Sequence, residues 1–156
     1  MITPAIACVE LAGLGPLTVT ASAAGVCGLA FTRSLPQGSS PLLQQALDQL
    51  AEYASGSRTN FDLPVDLSAC TPFTRTVLEA CRSIHWGRVL TYGQVAELIG
   101  RPTAARAVGG ALGRNPVAII VPCHRVVAGT GIGGFTGGIQ HKLDLWRLER
   151  IRWPGT

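Results

Sequence analysis

The chain has 156 residues, 47% of them hydrophobic and 14% charged, with a formal net charge of +4. Those proportions suit one or two compact, well-buried units and exclude a disordered or fibrous chain. No apolar run approaches the roughly 20 residues needed to cross a bilayer, which excludes a transmembrane helix.

The opening stretch, MITPAIACVELAGLG, is apolar. It lacks a basic leading segment and Glu10 interrupts it, so it is expected to be folded chain and not a secretory signal. Ala5 to Leu11 and Leu17 to Ala21 are short β-prone runs joined by Gly13-Leu14-Gly15-Pro16, and Val26 to Phe31 is expected to pair as a third strand. From Pro41 to Ala54, Leu42, Leu43, Ala46, Leu47, Leu50 and Tyr53 recur at helical spacing. Ser40 is the expected cap, Pro41 the first helical residue, and Ser55-Gly56-Ser57 the stop. Phe61 to Leu67 predicts an extended piece, and Ser68 to Thr71 a linker.

The second half opens with TPFTRTVLEACRSI. Thr71 caps a helix that Pro72 begins, and Phe73, Val77, Cys81 and Ile84 form its apolar stripe. In TYGQVAELIG, Thr91 with Gln94 is a capping-box pattern; Val95, Leu98 and Ile99 give the helix an apolar side, and Gly100 stops it. After Arg101-Pro102, Thr103 is the expected cap of a second helix reaching about Leu112. Two short helices joined by a tight turn fit a helix-turn-helix. Asn115-Pro116 predicts a turn and Val117 to Val121 a buried strand, with Pro122 leading out of it. These elements predict an α/β (α+β) chain: a small N-terminal α/β domain (1–70) with a short antiparallel sheet, then a mainly helical domain (71–156) with a helix-turn-helix.

Charge divides along the same line. Residues 1–70 hold two basic and five acidic residues, a net of −3; residues 71–156 hold eleven basic and four acidic, a net of +7. A basic half of this kind suits a phosphate-bearing partner, though a merely soluble face would read the same. The second helix of the pair is nearly bare: Ala104, Ala105, Ala107, Gly109, Gly110 and Ala111. Two glycines inside a helix cost about 1 kcal/mol each relative to alanine, so close approach of another backbone is expected there. Either a partner makes that approach, with Arg106 reaching into it, or the protein's own packing does, with Arg106 solvated.

The five cysteines (Cys8, Cys27, Cys70, Cys81, Cys123) form no C-x-x-C pair, and the three histidines (His85, His124, His141) have no ligand spacing. Reduced thiols, a cytoplasmic setting and no metal are therefore expected. Cys8, Cys27 and Cys81 lie in element-like runs where packing is the default. Cys123 differs: it follows Pro122, at the end of an apolar run, beside His124. A thiol attacks only as thiolate, so a nucleophilic Cys123 needs a proton acceptor, and His124 is adjacent. A base in turn wants an orienting acid, and Glu149 in KLDLWRLER is the candidate, on a helix able to fold back. Cys-His neighbours also occur by chance, and the pair alone leaves a core thiol open.

PCHRVV, preceded by NPVAIIV and followed by GGFTGGIQHK, resembles the active-site signature of the O6-alkylguanine-DNA alkyltransferases, the methylated-DNA–protein-cysteine methyltransferases. The likeness extends through TYGQVAELIG and AARAVGGALGRNP and covers roughly residues 72–150; the first 70 residues resemble the family only in layout. The resemblance implies direct-reversal DNA repair: irreversible, single-turnover transfer of an alkyl group from O6-alkylguanine in duplex DNA to Cys123, with O4-alkylthymine left open. It implies His124 as base through water, Glu149 as its orienting acid, Asn115 as the tie of the active-site turn, and Tyr92 as the group assisting the leaving oxygen. It implies Arg106 as the finger filling the gap of a flipped base, with Thr103, Ala105, Ala107 and Gly109 along the minor groove. Lys142, Thr136, Phe135, Val126 and Leu112 fall where the family surrounds the guanine or its loop. The family uses no cofactor and no catalytic metal, and a monomer that does not engage membranes is implied.

The chain departs from the family at several points. His85 and Trp86 stand before Gly87 where relatives often have a proline; Phe135 replaces a frequent tyrosine; the stretch from Gly131 to Phe135 is one residue shorter than in several relatives; and Ala118 stands where some have proline. Three rival functions remain. An alkyltransferase-like protein would bind alkylated DNA without repair, but such proteins usually carry tryptophan in place of Cys123. A thiol-sensing helix-turn-helix regulator would need operator binding, and no dimerisation element is apparent. A Cys-His hydrolase would need oxyanion machinery that does not stand out.

Overall fold

The computed structural model describes residues 3–153. Strands β1 (Ala5–Leu11), β2 (Gly15–Ala21) and β3 (Val26–Ala30) form an antiparallel sheet in the order β1-β2-β3. β2 begins earlier than Leu17, because Gly15 and Pro16 pair with Leu11 and Glu10. The β3 register reaches only as far as Thr18, so the N–H that Pro16 lacks breaks no ladder on that side. Gly13 and Gly15 take φ of 80° and 79°, which is what lets so short a turn close.

Helix α1 (Pro41–Ala54) begins as expected, with the Ser40 hydroxyl accepting from the Leu43 N–H at 3.1 Å. Leu43, Ala46, Leu50 and Tyr53 share its buried face, which lies on β1 and β2. Burying each leucine contributes about 1.5–3 kcal/mol. Residues 61–67 run extended beside β3, with the Val26 N–H donating to the Pro64 carbonyl and the Asp66 N–H to the Val26 carbonyl, both at 2.9 Å. That approach requires Gly25: a Cβ there would lie 2.7 Å from the Pro64 oxygen.

Helix α2 (Pro72–Cys81) is capped by Thr71, and its Val77, Leu78 and Cys81 are fully buried. Strand β4 (Leu90–Thr91) leads into α3 (Tyr92–Leu98), whose capping box is closed in both directions between Thr91 and Gln94. The apolar side of α3 departs from expectation at one position: Val95 is buried and Ile99 packs on the core as expected, but Ala96 takes the buried place and Leu98 is 58% exposed. After Gly100 (φ 75°) a tight turn leads to α4 (Ala105–Leu112), packed on α3 and α2. Thr103 does not cap α4. The Ala104 N–H closes a turn onto the Arg101 carbonyl at 2.9 Å, so the helix starts one residue beyond Ala104, with no side-chain cap.

The largest departure is at residues 117–121, which form a compact turn and not a strand. The Val121 N–H donates to the Val117 carbonyl and the Ile120 N–H to the Ala118 carbonyl, both at 2.9 Å, and Ile119 takes a φ of 73°. The run is as buried as its composition demands. Its shape is set by Asn115, whose side chain accepts from the Val117 N–H (2.9 Å) and donates to the Val121 carbonyl (3.0 Å). A single 3₁₀ turn (Cys123–Arg125), strand β5 (Val126–Val127, parallel to β4), a loop and α5 (Ile139–Glu149) complete the fold. Arg150, at φ 57°, ends α5. One hydrophobic core runs from Ala5 to Leu145, joining the sheet and the helices. Among the described residues no helix is long and apolar enough to cross a membrane.

Candidate active site

Cys123 stands at the first position of the 3₁₀ turn, not at the end of a strand, so it and His124 are not forced to opposite faces. It is 5% exposed, and it lines a cavity of about 200 Å³ together with Tyr92, Gly109, Leu112, Gly113, Gly134, Phe135 and Thr136. Tyr92 comes from α3 and Gly109 and Leu112 from α4, so the thiol opens toward the helical hairpin. A larger cavity, about 470 Å³, lies behind the turn against Ile119, Pro122 and Arg125, and contains neither Cys123 nor His124.

Burial pushes the Cys123 thiol up to about 11, against the pull of the Asn115 hydrogen bond, the Lys142 charge and the backbone N–H. The sulfur therefore rests as a thiol at neutral pH. It needs a base at the moment of attack. All five cysteines are free, and among the described residues no group of three or more His, Cys, Asp or Glu side chains is placed to hold a metal ion.

His124 is fully buried, and its Nε2 lies 2.6 Å from Glu149 Oε2. Glu149 is held down to about 2: burial opposes this, but hydrogen bonds and charge from His124 and Arg125 outweigh it. An ionised carboxylate only accepts, so Nε2 carries the proton and Nδ1 carries the lone pair. Nδ1 is buried with no hydrogen-bond partner. Burial also lowers the His124 pKa, keeping the ring neutral. A neutral imidazole with a free acceptor nitrogen, next in sequence to a thiol, is a competent general base.

Glu149 holds more than His124. Its Oε1 accepts from Arg125 Nε (2.8 Å) and the Gly87 N–H (3.2 Å); its Oε2 also accepts from Arg125 Nη2 (3.0 Å) and the Tyr53 hydroxyl (2.5 Å). Arg125 spends its remaining Nη on the Ile84 carbonyl at 2.6 Å. Arg125, Tyr53 and Gly87 were not among the residues expected at the site. Arg125 sits inside the PCHR tetrad, so its place was the available signal; Tyr53 reads only as one more apolar position of α1.

The remaining candidates divide. The Tyr92 hydroxyl accepts from the Gly134 N–H at 3.3 Å, which leaves its own proton free for the cavity. Thr136 donates to the Leu112 carbonyl at 3.3 Å, tying the loop to α4. Lys142 and Val126 do not line the cavity. Lys142 is buried and gives its three protons to the carbonyls of Val126 (2.8 Å), Ile132 (2.6 Å) and Gly134 (2.9 Å), so it shapes the loop that forms the wall. On α4, Arg106 and Ala107 are exposed and Ala105 and Gly109 half-buried, and Arg106 makes no hydrogen bond or ion pair among the described residues. Thr103 lies exposed in the preceding turn.

Gly133 makes the loop wall possible. At φ 76°, a Cβ would sit 2.6 Å from the Tyr92 hydroxyl and 3.1 Å from the Ala128 nitrogen. Gly133→Ala is expected to displace Tyr92 or the loop and to slow any reaction in the cavity, at a strain of about 1–3 kcal/mol. Single-turnover rates beside a thermal melt will check this; an unchanged rate would mean that this wall does not shape the site.

Residues 72–151 match the family model described as the DNA binding domain of 6-O-methylguanine DNA methyltransferase, and residues 12–67 the model of its ribonuclease-like domain. A methylated-DNA–protein-cysteine methyltransferase of Mycobacterium tuberculosis is 48% identical over 110 residues, covering 70% of this chain and 66% of that protein. One from Salmonella typhimurium is 48% identical over 103 residues, covering 65% of this chain and 60% of that protein. The aligned stretch thus spans less than two thirds of the length of these relatives, 66% and 60%. Among solved structures, the O6-methylguanine methyltransferase of M. tuberculosis superposes with a TM-score of 0.80 at 38% identity, covering 99% of this chain and 97% of that one. M. tuberculosis OGT in complex with DNA superposes with a TM-score of 0.79 at 40% identity, covering 92% and 91%. Matched over both halves by sequence and over nearly its whole length by shape, this chain belongs to the 6-O-methylguanine DNA methyltransferase family.

Proposed function

We propose that this chain repairs DNA by taking the alkyl group of O6-alkylguanine onto Cys123, once per molecule. The observation that carries this is a buried thiol at the inner end of a small cavity that opens on a bare, exposed helix face, with a relay of His124 and Glu149 beside it. A thiol so enclosed does not meet a base stacked in a duplex. The base must be swung out, at a cost of a few kcal/mol that is lower for a damaged, weakly paired base.

The steps balance without a cofactor. Through one bridging water, His124 Nδ1 takes the proton of Cys123. The sulfur attacks the alkyl carbon in line, the S–C bond forms and the C–O6 bond breaks. Guanine leaves with the electron pair as an anion, with the Tyr92 hydroxyl donating a hydrogen bond to its oxygen, and the proton held on His124 reaches that anion through solvent to give neutral guanine. The thioether has no easy hydrolytic exit, so the protein is consumed. Burial serves this chemistry: the resting thiol is protected from adventitious alkylation and oxidation, and the charge appears only when the base is in place.

The face of α4 suits a minor groove. The methyl groups of Ala105 and Ala107 add little bulk and Gly109 adds none, and Arg106 alone projects far enough to occupy the space of an extruded base. The net charge of +7 over residues 71–156 supplies attraction to phosphates. A relative crystallised with DNA supports the same partner class here.

Mixing the protein with an O6-methylguanine duplex and digesting it for mass spectrometry tests the reading. One methyl on the peptide containing Cys123, in equimolar yield, is expected; a peptide that stays unmodified while the duplex is bound would leave a binding protein. Arg106→Ala is expected to slow transfer from duplex by about 10-fold or more while leaving transfer from free O6-methylguanine intact. Equal losses on both substrates would remove the finger role.

A further inference from the structure

His124, Arg125 and Glu149 all belong to the C-terminal half of the chain, but one polar contact of their relay comes from the other half. Tyr53, at the last turn of α1, is fully buried, and its hydroxyl donates to Glu149 Oε2, the same oxygen that faces His124 Nε2. The ring is fixed by Phe61 and Trp86, each with its centroid 5.3 Å away. Burial and the Glu149 carboxylate keep the phenol protonated, so it is a donor and not a competing charge.

We propose that Tyr53 is a positioning residue for alkyl transfer: its hydroxyl orients Glu149 and drains charge from Oε2, and thereby sets the basicity of His124. This rests on the repair reading for its consequence on rate, but not for the effect on His124 itself. A carboxylate oxygen that already accepts from a phenol is a weaker acceptor for a third donor. With the hydroxyl removed, Oε2 pulls harder on the Nε2 proton and stabilises the imidazolium.

The other groups around the pair stay in place in that comparison. Arg125, from the 3₁₀ turn, bridges both oxygens of Glu149; Lys142, from α5, disfavours a charged His124; the Gly87 N–H holds Oε1; Cys123 precedes His124 in the chain; and the Phe135 ring meets the imidazole edge-on at 6.5 Å. Of these only Arg125 also meets the Tyr53 hydroxyl, and its own bonds to both Glu149 oxygens hold it in place without that contact. The apolar contacts of the ring survive Tyr53→Phe, so the substitution removes the polar contacts of the hydroxyl alone, the bond to Glu149 Oε2 and the approach of Arg125.

In the full-length Tyr53→Phe protein, the acid limb of the transfer rate against pH is expected to move to higher pH by roughly half a unit or more. Site-specific 3,5-difluorotyrosine at position 53, a stronger donor, is expected to move it the opposite way. A role confined to packing would lower stability and scale the rate without moving the inflection, and that result overturns the proposal. Imidazole NMR titration of His124 in unreacted protein reads the same quantity without any transfer. Opposite shifts of the His124 pKa in the two variants support the proposal even if the parent protein does not accept an alkyl group; coincident titrations overturn it even if the parent does. Should Tyr53→Phe fail to fold, the fluorinated protein against the parent decides alone.

Discussion

Cys123→Ala is expected to abolish alkyl transfer and to leave duplex binding essentially unchanged. The two halves of that expectation come from different parts of the structure. Transfer needs the sulfur at the inner end of the cavity; no other cysteine lines it. Binding needs the exposed face of α4 and the basic residues around it, which lie outside the buried turn that holds Cys123. Removing one buried sulfur leaves a small void at a cost of about 1–2 kcal/mol, too little to unfold a domain of this size. Anisotropy with a labelled O6-methylguanine duplex measures binding, and mass spectrometry of the same mixture measures transfer. Methyl uptake by the alanine protein would put the acceptor elsewhere. Loss of binding together with transfer would make Cys123 part of the docking surface and remove the separation of binding from chemistry.

The parts of this site that sequence made legible are the ones written in local code. The Ser40, Thr71 and Thr91 caps follow from residue type and spacing, and all three side chains accept the expected backbone N–H. The thiol, its histidine and the glutamate follow from chemistry and the family likeness, and His124 does meet Glu149. Four features escaped for physical reasons. Val117 to Val121 is β-rich and buried, as a strand would be, but two hydrogen bonds from Asn115 fold it into a turn that no hydrophobic pattern encodes. Thr103 is a good capping residue in a poor place, one step before the turn ends. Lys142 looks like a cation for a ligand, yet three backbone carbonyls claim all its protons. Tyr53 and Glu149 lie 96 positions apart, so no spacing connects them. At Thr103 a local backbone turn decided the outcome; in the other cases it was a long-range or side-chain-to-backbone bond, which composition does not carry.

Glu149→Ala is expected to destabilise the protein by about 3–5 kcal/mol, enough to leave it marginal. The carboxylate accepts from Arg125, His124, Tyr53 and the Gly87 N–H, and all three side chains are buried. Without it, the Arg125 charge is left in the interior with the neutral Ile84 carbonyl and Tyr53 hydroxyl and no counter-charge beside it. Glu149→Gln is the gentler test, because it keeps the shape and removes the charge. The sign of the pH dependence distinguishes the two states of this residue. Glu149 titrates at about 2 in the folded chain, below its ordinary 4.5, so its contribution is complete above pH 4.5 and is lost as pH falls toward 2. By linkage that limb is worth about 3 kcal/mol in the parent protein. His124, buried and neutral, adds a loss that begins higher, once the unfolded chain starts to protonate its imidazole near pH 6.5. Urea melts from pH 7 to pH 3 should therefore show the parent losing stability in two stages, whereas Glu149→Gln, already weaker at pH 7, keeps at most the histidine stage and runs flatter below pH 4.5. Parallel curves for the two proteins would mean that the carboxylate gains nothing from its buried partners, and the relay would lose its anchor.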